Sequence, residues 1–318
     1  MSSIVYISVA DDPERWRTAL IPALPEADLD RDFHVWPGGM TGLKDYDDVD
    51  IALVWRSEPG VLKKFPNLKA IINLGAGVDS IVADQTWPRH VPLVRMVDAA
   101  LTRHMTEFVI HRVLHFHRKF HIYDDMQRRH DWRELGQVDT LERRVGIMGM
   151  GELGGDAARH LVNLEFKVAG WSRSEKKLGG VQSFFGVEQL PEFLAATEIL
   201  VCLLPLTPGT DGIINAQTLA QLPKGAFVIN AARGGHVVEA DLLAALDSGH
   251  IEAAALDVFA TEPLPDSSPF WDHEKVIISP HIASLSVPNS AAASIAENIR
   301  RVRRSEPPRD LVELDAGY

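Results

Sequence analysis

The sequence predicts an α/β protein with two doubly wound parallel sheets, and three observations predict it. Short β-branched or apolar runs alternate with helix-length segments along most of the chain, the pattern of parallel strands joined by crossover helices. The alternation falls into two series, about residues 1–98 and about residues 143–281. With 318 residues, the chain is long enough for two domains.

In the first series, "SIVYISV", "DIALVWR" and "KAIINLG" read as strands. Next comes "ALTRHMTEFVIHRVLHFHRKFHIYDDMQRRHDWREL", read as a long helix with a polar extension. The second series supplies strands at "RRVGIMG", "FKVAGW", "ILVCLLP", "AFVINAA", "EAAALDV" and "KVIISP". Helical material such as "ELGGDAARHLVNL" and "EADLLAALDSG" separates several of them. A last helical pattern, "NSAAASIAENIRRVRR", can return the chain to the first domain, and "EPPRDLVELDAGY" is a tail without a clear pattern.

Composition excludes several classes of function. The formal net charge of −12 disfavours nucleic acid or acidic lipid as partner, and it requires any anionic ligand to find a locally basic pocket. No stretch approaches the ~18 apolar residues of a membrane span, and "MSSIVYISVADDPERW" lacks the basic start and apolar core of a signal peptide. The one cysteine, Cys202, lies inside an apolar run. It reads as a small buried hydrophobe in a reducing, cytoplasmic setting.

The segment "RRVGIMGMGELGGDAARHL" places Gly149, Gly151 and Gly154 in G-x-G-x-x-G spacing, with strand residues before and helix residues after. In that setting Gly149 permits the sharp turn, Gly151 lets a pyrophosphate approach the backbone, and Gly154 lets the helix pack against the sheet. The helix N-terminus then offers free N–H donors and a positive dipole end to phosphate. Met150, Glu152 and Leu153 complete the turn, with Glu152 expected to point outward. The expected fold of this part is Rossmann-type. An acidic residue usually follows about 20 residues on, to hold the adenosine ribose. Here Ser172, Arg173 and Ser174 stand there, with Lys176 and Lys177 beyond. A carboxylate would repel a ribose 2′-phosphate, whereas an Arg fork and hydroxyls would bind it. The expected cofactor is therefore NADP(H), with NAD(H) possible; a solvated basic loop is the alternative.

Beyond this turn the sequence resembles the D-2-hydroxyacid dehydrogenase family, and within it the glyoxylate/hydroxypyruvate reductase A branch. The resemblance rests on "LGAGVDS" (74–80), "GMGELG" (149–154), "LLPLTPGTDGIIN" (203–215), "INAARGGHVVEADLLAALDSGHI" (229–251), "ALDVFATEPLP" (255–265) and "SPHIAS" (279–284). It implies a Rossmann-type cofactor domain, residues 99–285, inserted into a flavodoxin-like substrate domain, residues 1–98 plus 286–318. It also implies a homodimer formed through an extension at about 101–140, and an active site in the cleft between the domains.

The family's catalytic positions fall on Arg233, Glu262 and His281. Reduction of a 2-keto acid puts a hydride on C2 and leaves negative charge on its oxygen. An imidazolium, with ordinary pKa near ~6.5, can protonate that oxygen at neutral pH. A carboxylate beside the ring fixes its tautomer and keeps it charged, and a guanidinium grips the substrate carboxylate and polarises the carbonyl. Singly, each residue has a bland alternative as a loop anchor, turn histidine or surface acid.

The resemblance also places Gly75, Ala76 and Gly77 where backbone N–H groups meet the substrate carboxylate. Trp55 and Arg56, at the end of "DIALVWR", can line the same pocket; a core aromatic with a solvated base is the alternative. The resemblance places Leu204, Pro205, Leu206 and Ala231 along the cofactor, and Asp257 near the nicotinamide carboxamide. His111 and His115, like His117 and His121, are four residues apart, but no Cys, Asp or Glu in that stretch completes an obvious zinc site; no metal is expected. The expected function is an NADPH-preferring reductase of small 2-keto acids such as glyoxylate and hydroxypyruvate. Two alternatives stand beside it: a same-fold dehydrogenase for another small acid, and a non-catalytic NAD(P)H-sensing binding protein. For the first, Glu262 argues against formate, where relatives carry Gln; for the second, the long disordered tails of co-repressor relatives are missing.

Overall fold

The computed structural model describes residues 2–8, 12–40 and 46–312. The chain divides into two compact units, Met1–Leu101 with Leu285–Tyr318, and Thr102–Ser284. The second is thus inserted in sequence into the first.

The first unit contains strands β1 (Ser3–Ser8), β2 (Phe33–Val35), β3 (Val49–Trp55), β4 (Ala70–Asn73) and β5 (Leu93–Val94). They form one parallel sheet in the order β2-β1-β3-β4-β5, the flavodoxin-like order. Strands β1, β3 and β4 are buried almost throughout, so they read as near-continuous apolar runs rather than alternating ones, with Asp50 as the break in β3. The helix Pro288–Arg303 returns the chain to this unit and packs against the helix Pro13–Ala23. Arg303 pins it there through a bidentate pair with the buried Asp50, at 3.0 and 3.1 Å. The tail then runs along β5, with Val312 N–H donating to Leu93 O; the last residues of the "EPPRDLVELDAGY" tail, 313–318, lie outside the described residues.

The second unit contains strands β6 (Arg144–Met148), β7 (Lys167–Ser172), β8 (Val181–Phe185), β9 (Ile199–Cys202), β10 (Ala226–Asn230), β11 (Ile251–Leu256) and β12 (Val276–Ile278). Their order is β12-β11-β10-β9-β6-β7-β8, all parallel. This is the Rossmann order extended by one strand. Along β9 the residues alternate between two core layers: Leu200 and Cys202 face one, Ile199 and Val201 the other. Helices cover both faces, as the period of two requires.

The segment read as one long helix is two. The helix Ala99–His117 stops where Lys119 turns left-handed (φ 60°), and Phe120–Arg128 follows. Three strands absent from the sequence reading, β2, β5 and β8, all lie at sheet edges.

Candidate active site

Open α/β sheets bind ligands beyond the carboxyl ends of their strands, where strand order reverses. In the second unit that reversal lies between β6 and β9. The glycine turn follows β6 directly. Gly149 has φ +103°, and a Cβ there would lie 2.6 Å from Leu203 O. A Cβ on Gly154 would lie 1.8 Å from Gly149 O. The protein's own packing therefore demands both glycines. Gly151 differs: it caps the helix Glu152–Asn163 at φ −78°, and its Cβ position meets nothing within 4 Å. The open space lies at a helix N-terminus whose first N–H groups lack intrahelical acceptors. Met150 is buried, its side chain packed over Gly170, so only its backbone faces the turn. Glu152 is exposed, and Leu153 packs partly on the core.

At the end of β7, Ser172 is buried and its hydroxyl donates to Ser174 O at 2.8 Å, closing the loop on itself. Arg173, Ser174, Lys176 and Lys177 are exposed. After β9 come Leu204, buried, and Pro205 and Leu206, half-buried.

The loops after β10, β11 and β12 carry the three polar residues. His281 Nδ1–H donates to Glu262 Oε2 at 2.7 Å, and Glu262 Oε1 accepts from Phe259 N–H at 3.1 Å. This fixes the tautomer and leaves Nε2 as the ring's working nitrogen. His281 sits at φ +56°, a left-handed conformation uncommon for a non-glycine residue, of the kind found at functional sites. Its backbone N–H donates to Asp257 O at 2.8 Å. The buried Asp257 carboxylate accepts from Ser279 Oγ, Ile282 N–H and Ala283 N–H at 2.6, 3.0 and 2.8 Å. Asp257 thus builds the loop that presents His281.

Arg233 reaches the same group through the next residue. A Cβ on Gly234 would lie 1.8 Å from the Phe259 carbonyl carbon, so the Arg233–Gly234 backbone presses on the segment that Glu262 holds. The fully buried Asn230 donates to Arg233 O at 2.9 Å and accepts from Ala232 N–H at 3.1 Å. His236, also fully buried, accepts from Arg233 N–H at 3.2 Å and lies 3.2 Å from Pro205 O through Nε2. Ala231 is buried, its N–H donating to Cys202 O.

In the first unit, the reversal lies between β1 and β3, and the loops after β3 and β4 hold the candidates. Asn73, the buried last residue of β4, donates to Gly75 O at 2.7 Å and Gly77 O at 2.9 Å. Among the described residues, no hydrogen bond leaves the N–H groups of Gly75, Ala76, Gly77 or Val78. Consecutive unpaired donors in a partly buried loop form an anion-binding nest. Trp55 floors the loop: a Cβ on Gly75 would lie 2.1 Å from its ring. Arg56, half-exposed at φ 53°, stacks on that ring at 5.6 Å.

Other groups fall outside this arrangement. Cys202 is buried and free, and burial pushes its thiol up to about 12, which makes it a poor nucleophile. His111, His115, His117 and His121 are all pushed below their ordinary value, chiefly by burial. Among the described residues, no cluster of three or more His, Cys, Asp or Glu could hold a metal ion, and no helix is long and apolar enough to cross a membrane. Sequence reasoning missed Asn73, Asn230 and His236. The first two share a signal: each is one polar residue ending a strand that is otherwise wholly apolar.

Comparison with known proteins places this geometry. Residues 110–283 match the family model for the NAD binding domain of D-isomer specific 2-hydroxyacid dehydrogenases. The glyoxylate/hydroxypyruvate reductase A of Serratia proteamaculans is 40% identical, over 99% of this chain and 100% of that protein. A D-isomer specific 2-hydroxyacid dehydrogenase from Xanthobacter autotrophicus Py2, solved with NADPH and MES, superposes with a TM-score of 0.93 at 44% identity, covering 99% of each chain. An NADPH-dependent glyoxylate/hydroxypyruvate reductase from Sinorhizobium meliloti, solved with NADP and sulfate, gives 0.90 at 39%, covering 99% of this chain and 100% of that one. The glycine turn, the His281–Glu262 pair and these full-length matches agree, and the chain belongs to the D-isomer specific 2-hydroxyacid dehydrogenase family.

Proposed function

We propose that the protein is an NADPH-preferring reductase of small 2-keto acids, taking glyoxylate to glycolate and hydroxypyruvate to D-glycerate. The observation that carries this reading is the 2.7 Å bond between His281 Nδ1 and Glu262 Oε2, a histidine with one nitrogen fixed and the other available to a substrate oxygen. The names of the relatives support the substrate class, and the NADPH and NADP held by the two solved relatives support the cofactor.

The residues suit NADP(H). The N–H groups at Gly151–Gly154 would hold the pyrophosphate in the open space that Gly151 leaves. Arg173, with the Ser174 hydroxyl, would hold the 2′-phosphate, the Ser172 hydroxyl, already donated to Ser174 O, would shape that loop, and Leu204, Pro205, Leu206 and Ala231 would flank the cofactor. When bound, NADPH supplies the hydride for the carbonyl carbon. The Gly75–Val78 loop, with its row of unpaired N–H groups, is suited to bind a carboxylate, and Arg233 supplies a permanent planar cation that draws charge onto a carbonyl oxygen. His281 Nε2–H protonates that oxygen as negative charge develops, and Glu262 stabilises the imidazolium from its other side. Asp257 serves as a positioning residue for His281. In this reading residues 99–285 bind cofactor, and residues 1–98 with 286–318 serve the substrate.

The reading extends to a cytoplasmic homodimer. A free, buried cysteine suits a reducing compartment, and Phe120 and the almost fully exposed Trp132 give residues 101–140, with Leu141 just beyond them, apolar surface for a second copy.

The test is the oxidation of NADPH, followed by absorbance, with a panel of 2-keto acids. The His281→Ala variant should lose about 10²- to 10⁴-fold in turnover while its affinity for NADPH stays near that of the parent. Turnover within about tenfold of the parent would remove His281 from the acid role, and no oxidation with any 2-keto acid would end the reading.

A further inference from the structure

We infer that Asn73 is a positioning residue for carboxylate binding: it turns two loop carbonyls away, so that the N–H groups of Ala76 and Val78 become the anion donors. The inference rests on the reductase reading and on the Gly75–Val78 loop as the carboxylate site.

The peptide unit is planar and trans, so a carbonyl and the N–H of the next residue point in opposite directions. The Asn73 amide draws the carbonyls of Gly75 and Gly77 toward itself, using one N–H for each at 2.7 and 2.9 Å. Met96 N–H adds a second bond to Gly75 O at 3.0 Å. The N–H groups of Ala76 and Val78 must therefore face the opposite way. Gly75 and Gly77 supply the carbonyls that Asn73 holds, and Ala76 and Val78 supply the N–H groups turned away from it.

Asn73 itself shows what it is kept for. Its side chain is buried, and its own oxygen, Oδ1, has no hydrogen-bond partner. A buried acceptor left unpaired carries a desolvation cost that an apolar residue in a packed strand end would avoid. The neighbours on β4, Ala70, Ile71 and Ile72, are all apolar. Asn73 breaks that run for the sake of its two donors alone.

The experiment compares glyoxylate with glyoxylamide, which keeps the reacting carbonyl and loses the carboxylate charge. In Asn73→Ala, KM for glyoxylate should rise about 10- to 100-fold, the loss expected when bonds to a charged group are misaligned. kcat should fall less than about fivefold, and kcat/KM for glyoxylamide and NADPH affinity should change little. Asn73→Ser, which keeps one donor, should fall between; if Asn73→Ala does not fold, the same ratio is read from Asn73→Ser. Independently of any variant, titrating oxamate into the NADP-bound parent enzyme should shift the amide resonances of Ala76 and Val78 more than those of Gly75 and Gly77. Equal losses for both substrates, or shifts centred on Gly75 and Gly77, overturn the role of Asn73. A parent enzyme that does not prefer glyoxylate over glyoxylamide overturns the carboxylate site itself, and so distinguishes the two failures.

Discussion

Replacing Gly151 with Ala separates the requirements of the fold from those of the cofactor. At φ −78° and ψ −158° the residue occupies extended backbone open to alanine, and the added Cβ meets nothing within 4 Å. Reduced freedom of the unfolded chain stabilises such a replacement by about 0.4–1 kcal/mol, and the loss of glycine at an N-cap offsets a few tenths of that. Stability should therefore change by less than about 1 kcal/mol. Binding should not be spared, because the methyl group projects into the space through which a pyrophosphate would meet the helix N-terminus. The loss of one or two bonds to a charged group, about 1.5–3 kcal/mol each, predicts a Kd for NADPH at least about tenfold weaker. Gly154→Ala provides the contrast. Its Cβ would overlap Gly149 O at 1.8 Å, so backbone must shift and the melting temperature should fall. Fluorescence titration with NADPH beside a thermal melt reads both quantities. A Gly151→Ala protein that binds NADPH as the parent does would refute the reasoning, as would one that unfolds like Gly154→Ala.

Three further outcomes follow from the same geometry. Arg173→Ala should weaken NADPH about 10- to 100-fold, the worth of a charge-assisted pair, and leave NADH unchanged; parallel losses in steady-state kinetics would show that Arg173 does not read the 2′-phosphate. Glu262→Gln keeps an acceptor for His281 and removes the charge that stabilises the imidazolium, so kcat should fall by about 10²-fold or more with little change in KM for NADPH; an unchanged kcat would reduce the pair to a structural contact. His117 is buried, near Arg143 and Arg118 as well as Asp139, and burial holds its pKa below the ordinary value. The unfolded chain then takes up a proton that the folded one resists. Stability is thus unaffected above about pH 6.5 and lost as pH falls below it, by at most about 1.4 kcal/mol per pH unit for this residue. His117→Leu should flatten that loss in melts between about pH 7 and pH 5.5, and an unchanged acid slope would place the loss elsewhere.

The central strands were legible because burial on both faces leaves a continuous apolar run. Three edge strands were not. Strand β2 has three residues and β5 two, too few to show any period. Strand β8, "VQSFF", pairs on one side only and buries mainly Phe184, so neither the alternating nor the continuous pattern develops. The break at Lys119 was hidden because no glycine or proline marks it; a lysine takes the left-handed conformation there. Arg233, Glu262 and His281 could be named early because each follows a strand end in a distinctive local sequence. The support of Gly75 by the Trp55 ring joins β3 to β4 across the sheet, a contact that spacing along one chain cannot express.

Three buried polar residues share one physical character; sequence reasoning passed over Asn73 and Asn230, and expected Asp257 near the nicotinamide carboxamide rather than on loop backbone. Asn73 and Asn230 end β4 and β10, and Asp257 follows β11. All three are buried, and all three direct polar atoms at loop backbone: Asn73 at two carbonyls, Asn230 at Arg233 O and Ala232 N–H, Asp257 at Ile282 and Ala283 N–H. A polar group in that position is costly unless paired; Asn73 and Asn230 find partners among the peptide groups of the loops they launch, and Asp257 among those of the loop after β12. The loops then hold their geometry without help from a ligand. Arg233 and His281 are presented by backbone that is already tied down, which is what electrostatic stabilisation of a developing oxyanion requires, and the Gly75–Val78 loop is tied down in the same way by Asn73. Loosening one of these ties should therefore act on the reaction through misplacement of a neighbour, and its effect should appear with the substrate group that neighbour touches before it appears in folding.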